Sequence, residues 1–289
     1  MALRLRRPLA EAQDRHEDFF RQNPSLNDRH WLLASFDALA KSHRTVEGLF
    51  DPAHNPLFEV LPSYEAATAL LAFWRERGAD GEVVHDFTDP DLDTRFLGDL
   101  YQDLSEHARK TYALLQTPVF VEEFILDLTL ELAVEEFGLD PVWKHKPSGW
   151  QGDDPEVRGL RCIDPACGSG HFLLGMFERL LAKWRDTEPR TEAWMLVRRA
   201  MESVHGADKN PFAVAIARFR LLVAALKAGG VRDLSEAPGL PIRVAVADSL
   251  LHGRGGETVT EALDTLSVFR VATDGVTARR AQRTRHPCR

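Results

Sequence analysis

The stretch Asp164-Pro165-Ala166-Cys167-Gly168-Ser169-Gly170 lies between a short β-type run, Gly159-Leu160-Arg161-Cys162-Ile163, and a helical segment beginning at His171. In that segment Leu173, Met176, Phe177, Leu180 and Trp184 fall on one face. A strand ending in an acid, a glycine turn and a helix start together make a ligand loop. Glycines let a backbone approach a ligand that a Cβ would strike. The first turn of the helix offers N–H groups with no partner inside the helix. The loop fails two common tests. A dinucleotide fingerprint needs glycine where Leu173 stands, and a phosphate loop needs Gly-Lys-Ser/Thr where Gly170-His171-Phe172 stands. An acid at the start of the loop repels a pyrophosphate and suits a cation.

Downstream, the strand–loop–helix pattern repeats. Glu192 to Glu202 reads as a helix and Ser203-Val204-His205-Gly206-Ala207 as a second strand, with Asp208 at its end. Asn210-Pro211 opens a long apolar helix through Leu226, stopped by Gly229-Gly230. Ile242 to Ala247 reads as a third strand, followed by Asp248. Strands alternating with helices predict an α/β fold with a parallel sheet. Upstream, the periodicity predicts helices around Trp31–Ala40, Tyr64–Arg77 and Phe96–Leu104. Another helix is predicted over Pro118–Phe137, with Thr117 as its N-cap and Pro118 as its first residue. A polar stretch rich in proline and glycine, about 144–158, reads as a linker.

Composition sets the outer bounds. The 289 residues can bury a sizeable core, and 44% hydrophobic with 28% charged residues is ordinary for a globular protein. The net charge of −8 excludes a surface that is basic all over, but leaves room for a local phosphate-binding patch. Cys162, Cys167 and Cys288 form neither a disulfide framework nor a metal-binding repeat. With no signal-like start and no membrane-length apolar run, the expectation is a cytoplasmic protein. From Arg270 the chain is Arg-rich and aperiodic, which predicts a disordered basic tail.

The loop Asp164–Gly170 with His171-Phe172-Leu173 resembles motif I of the N6-adenine-specific DNA methyltransferases. His205 to Ala213 is similar to motif II of that family, Ala247-Asp248-Ser249-Leu250-Leu251 to motif III, and Leu115 to Val121 to motif X. The run Thr94–Leu104 is most similar to the large members found in bacteriophage-exclusion systems. The resemblance covers about residues 95–252. It implies a Rossmann-like S-adenosylmethionine-dependent methyltransferase domain, incomplete here with three parallel strands, preceded by a mainly helical region. The implied division is a helical region over 1–110, a cofactor-binding half over 111–268 and the tail over 269–289.

The resemblance also implies site residues. S-adenosyl-L-methionine would lie against Thr117, Pro118, Asp164, Pro165, Ala166, Cys167, Gly168, Gly170, Asp208 and Asp248. Asp164 faces its cationic groups, Asp208 its ribose hydroxyls and Asp248 its adenine amine, while Thr117 and Pro118 lie near its carboxylate. The implied partners are double-stranded DNA and other phage-defence proteins, with no metal and no membrane.

One part of the family pattern is missing. Catalysis there uses an Asn/Asp-Pro-Pro-Tyr/Phe motif that grips the target base, flipped out of the helix. The chain has no Pro-Pro dipeptide. No catalytic residue is therefore assigned. The chain reads as a fragment, inactive alone and binding cofactor weakly at best, with Gly159–Ile163 left as a sheet edge.

Plainer roles stand beside these. Asp164 and Asp208 could simply cap turns, Asp248 could end a strand in solvent, and Thr117 could be only a cap. Cys167 reads as a small packed residue rather than a nucleophile, His171 as a filler, and Phe172 and Phe212 as helical core. The arginines Arg279, Arg280, Arg283 and Arg285 suit a solvated tail as well as a phosphate contact. Two rival functions remain open: a methyltransferase of another substrate, and a non-catalytic binding module.

Overall fold

A computed structural model describes residues 14–50, 58, 60–85, 93–104, 117–143, 157–231, 236–247 and 249. A helix over 14–22 (α1) leads into α2 (Asp28–Ser42), α3 (Arg44–Phe50), α4 (Tyr64–Arg75) and α5 (Arg95–Leu104). Next comes a continuous helical rod: α6 (Val119–Leu126), a π-helical turn (Asp127–Glu131) and α7 (Leu132–Phe137). The α/β half follows as β1 (Val142–Trp143), β2 (Val157–Arg158), β3 (Cys162–Asp164), α8 (His171–Thr187), α9 (Ala193–Ser203), β4 (Val204–Asp208), α10 (Pro211–Ala228) and β5 (Arg243–Val246).

β3, β4 and β5 form a parallel sheet in chain order. The register sets Ile163 opposite His205 and His205 opposite Arg243, then Gly206 opposite Val244. Parallel neighbours need crossover connections. Here α8 and α9 carry the chain from β3 to β4, and α10 carries it from β4 to β5. Both outer strands expose apolar side chains, with Ile163 44% and Val246 48% exposed. The three expected strands are present, and among the described residues β3 lies at one edge of their sheet.

The core lies between these helices and the sheet. Leu173, Phe177 and Leu180 of α8 are sealed against Val197, Ala200 and Met201 of α9, Val214 and Leu221 of α10, and Val204 and Val244 of the sheet. One glycine makes this approach possible. A Cβ at Gly206 would stand 2.8 Å from Leu173 Cδ1 and 3.2 Å from Cys167 Sγ, so glycine lets Leu173 of α8 settle onto β4 without displacement. On the outer side of α10, Val46 and Leu49 of α3 pack with Leu222.

Three expectations are corrected. Pro118 occupies the N-cap position and Val119 starts the helix, so Thr117 is not the cap, and Pro118 offers no side-chain capping bond. A proline fits there because its φ of −57° and missing N–H cost the helix start nothing. Phe212 is 45% exposed rather than helical core, because it lies in the first turn of α10, beyond the packed layer. Within the stretch read as linker, Val157–Arg158 pair antiparallel with Val142–Trp143. Asp248 and the basic tail lie outside the described residues. No described helix is long and apolar enough to cross a membrane.

Candidate cofactor site

Parallel strands end their chain direction on one side of a sheet, and loops leaving those ends converge there. β3 delivers Asp164 to that side and β4 delivers Asp208. The two loops are tied together by hydrogen bonds. Cys167 N–H donates to the Ala207 carbonyl at 2.9 Å, and Gly168 N–H donates to Asp208 Oδ2 at 2.8 Å. The second oxygen of Asp208, Oδ1, accepts the Asn210 N–H at 2.8 Å. Ala247 N–H donates to the Asp208 carbonyl at 2.9 Å, which brings the end of β5 to the same place. Asp208 thus does cap the turn before α10. Each carboxylate oxygen has a second lone pair, so the cap leaves acceptor capacity for a ligand hydroxyl.

Asp164 caps its own turn, accepting the Ala166 N–H at 3.1 Å. Burial pushes its carboxyl above the usual carboxylate range, and the nearby Asp208 charge adds to the shift. Two acids held together in a half-buried loop favour a cationic neighbour, which would offset the upward shift of Asp164. Cys167 is 5% exposed, and burial with the charges of Asp164 and Asp208 pushes its thiol well up. A thiol that resists ionisation is a poor nucleophile, in line with its reading as a packed residue.

The loop ends at Gly170, whose φ of 90° lies in the left-handed region. A Cβ there would stand 3.0 Å from Ala217 Cβ of α10, so both backbone shape and space require glycine. Below the loop lies Arg220 of α10, fully buried, with Nη1 donating to the Ser169 carbonyl at 2.8 Å. Arg218 is also buried, and its Nε donates to the Val244 carbonyl at 2.8 Å. Burial lowers its guanidinium to about 10. Both arginines escaped the sequence reading. Their signal was there, as two charges inside the otherwise apolar run Ala213–Ala225.

Thr117 and Pro118 stand just before α6, whose direction follows from its contacts with α8. The ion pairs between the rod and α8 step forward in both helices, from Glu122 with His171, to Asp127 with Arg179, to Glu131 with Lys183. The helices therefore run the same way, and the amino end of α6 lies at the loop end of α8. Glu122 is 7% exposed and packs over Gly175, where a Cβ would overlap its carboxylate. The π turn extends this match, since Asp127 and Glu131 both reach Arg179. No sequence feature marked Glu122 or the π turn.

The structure brings together the loop Asp164–Gly170, Asp208 and the end of β5, while Thr117 and Pro118 precede the adjoining helix α6. Among the described residues no cluster of His, Cys, Asp and Glu could hold a metal ion.

Comparison with curated proteins finds 46% identity over 286 residues to "Adenine-specific methyltransferase PglX" of Streptomyces coelicolor. The chain resembles an adenine-specific methyltransferase along nearly its whole length. The match covers 94% of this chain and 22% of that methyltransferase, so the chain spans about a fifth of its relative. The methyltransferase resemblance read from the four motifs is borne out. No family model matches the chain. Among solved structures, a nuclease-deletion mutant of the Type ISP restriction-modification enzyme LlaGI, in complex with a DNA substrate mimic, aligns over 96% of this chain and 23% of its own. Its identity is 15% and its TM-score 0.37.

Proposed function

We propose that this chain is the cofactor-binding half of an adenine-specific DNA methyltransferase. The donor is S-adenosyl-L-methionine, the target is adenine N6, and the setting is phage defence or restriction-modification. The domain is the first part of a Rossmann-like methyltransferase sheet, and DNA is held mostly by regions outside this chain. One observation supports this most strongly: Asp164 and Asp208 stand at the carboxyl ends of adjacent parallel strands, and the Gly168 amide of the loop that follows Asp164 donates to Asp208.

The donor set fits the cofactor. Asp164 would hold its cationic methionine end and Asp208 its ribose hydroxyls. The left-handed Gly170 turns the loop into α8 and lets it sit close against α10. Asp248, which follows β5, would take the adenine amine. Thr117 and Pro118 would lie against the methionine carboxylate, at the amino end of α6. Bound cofactor supplies an electrophilic methyl on a positively charged sulfur. These residues contribute orientation, which is a large share of what a displacement reaction needs. No described residue serves as a base, and none is required while the target amine is presented by another part of the enzyme.

The chain lacks a Pro-Pro motif to grip adenine, so alone it transfers no methyl. The test is radiolabelled methyl transfer to DNA by the 289-residue chain. The expected result is no incorporation above a no-protein control. Sustained turnover would show that the missing motif has a substitute within the chain.

A further inference from the structure

The amino-terminal helices touch the cofactor site at one point that carries chemistry. Asn210 is fully buried and follows Asp208 by two residues. Its Oδ1 accepts the N–H groups of Phe212 and Ala213 at 3.0 and 3.4 Å, which caps α10. Its backbone N–H donates to Asp208 Oδ1. Its Nδ2 donates to the Tyr101 hydroxyl at 2.7 Å, across 109 residues of sequence. Tyr101 is on α5, which packs against α10.

These bonds have a consequence for the amide. An asparagine side chain can turn over, exchanging oxygen for nitrogen. Turned over, Asn210 would point N–H groups at the N–H groups of the helix start. The two helix-start N–H groups therefore set the orientation of the amide, and the Tyr101 oxygen, accepting from Nδ2, satisfies its buried nitrogen and anchors the side chain in place. With the cap fixed, the Asn210 backbone N–H is fixed, and with it the carboxylate of Asp208. A buried amide that loses its acceptor bears an uncompensated desolvation cost. That cost is relieved by a shift of the Asn210 turn, which moves the acid.

We infer that Tyr101 is a positioning residue for the cofactor's ribose: through Asn210 it holds Asp208 in the geometry that receives the hydroxyls. The inference rests on the proposed cofactor reading and adds the helical region to the site. It makes α5 part of the cofactor pocket's support rather than a separate appendage.

The test is calorimetric titration of the full chain, wild type and Tyr101→Phe, with two probes. One is S-adenosylhomocysteine, and the other is the same molecule lacking both ribose hydroxyls. Phenylalanine keeps the ring, and a melting curve of the variant checks that the fold persists. Wild type should prefer the hydroxylated probe. Loss of one hydrogen bond should cost Tyr101→Phe roughly five- to tenfold in affinity for that probe. Affinity for the probe without hydroxyls should stay unchanged. Equal weakening toward both probes, or none toward either, would overturn the inference and leave the cofactor reading standing. Wild type binding neither probe would sink the cofactor reading and the inference together.

Discussion

Two neighbouring helices show how differently the two parts of this chain are built. In α8 eight residues are buried, among them Leu173, Phe177 and Leu180. Along the rod from Val119 to Phe137 only Glu122, Leu126 and Leu130 are buried. Phe120 is 71% and Phe124 61% exposed on the rod. The first helix is held by apolar burial on the side that faces the sheet. The second is held to the first by only two buried apolar side chains in that core, Leu126 and Leu130, and by charge, through Glu131 and Asp127 on Arg179 and Lys183. Ion pairs exposed to water contribute little. The α/β half should therefore carry the stability of the chain, while the rod contributes position.

The sharpest way to break this comparison is to delete the same kind of group from each helix. Leu173→Ala removes a fully buried side chain from the centre of the core and should cost about 2–5 kcal/mol. Urea unfolding followed by far-ultraviolet circular dichroism would measure it. A cost below 1 kcal/mol, on the scale of ordinary surface changes, would mean that α8 does not anchor the fold.

The seam between the two helices gives the next effect. Gly175→Ala places a methyl against the buried Glu122 carboxylate and should cost about 1–3 kcal/mol by overpacking. The same unfolding experiment reads it. A neutral result would mean that the rod is free to step away from α8.

A smaller effect tests the sheet itself. Burial pushes the His205 imidazole down to about 4, with Arg243 and Arg161 adding to the shift. The unfolded chain therefore takes up a proton first, and stability is lost as pH falls from about 6.5 towards about 4. His205→Gln should lose about 1–2 kcal/mol less than wild type between pH 7 and pH 5. Urea midpoints at the two pH values check this. The smallest effect belongs to the rod's outer face, where Phe124→Ala should lie within about 0.5 kcal/mol of wild type.

The comparison also explains what could be read in the sequence. The α/β half was legible because local rules set its features. Acids at strand ends, glycines at turns and Asn210-Pro211 at a helix start all act within a few residues. Helix α8 was recognised from its five apolar positions, and it runs three residues past Trp184 to Thr187. The contacts that support the site were not legible, because they join distant segments. Arg220 reaches back to Ser169, and Tyr101 reaches forward to Asn210. Nothing local in either segment names its partner. Pro118 took the cap position although local preference puts proline one residue later, at the first helical position, so sequence rules alone misplaced the start. The π turn depends on matching Asp127 and Glu131 to a second helix, and that match exists only after folding.

The central claim is that the carboxyl ends of β3 and β4 form a site for a methyl donor, with Asp208 at its heart. The most direct measurement is calorimetric titration of S-adenosylhomocysteine into wild type, Asp208→Ala and Asp186→Ala. Asp186 lies near the end of α8, by the cleft that Ser203 and Arg243 line at the opposite ends of the strands, and serves as the control. Weak, saturable binding by wild type and Asp186→Ala, with none by Asp208→Ala, is the result predicted. Binding that survives Asp208→Ala unchanged, or its absence from wild type, would contradict it.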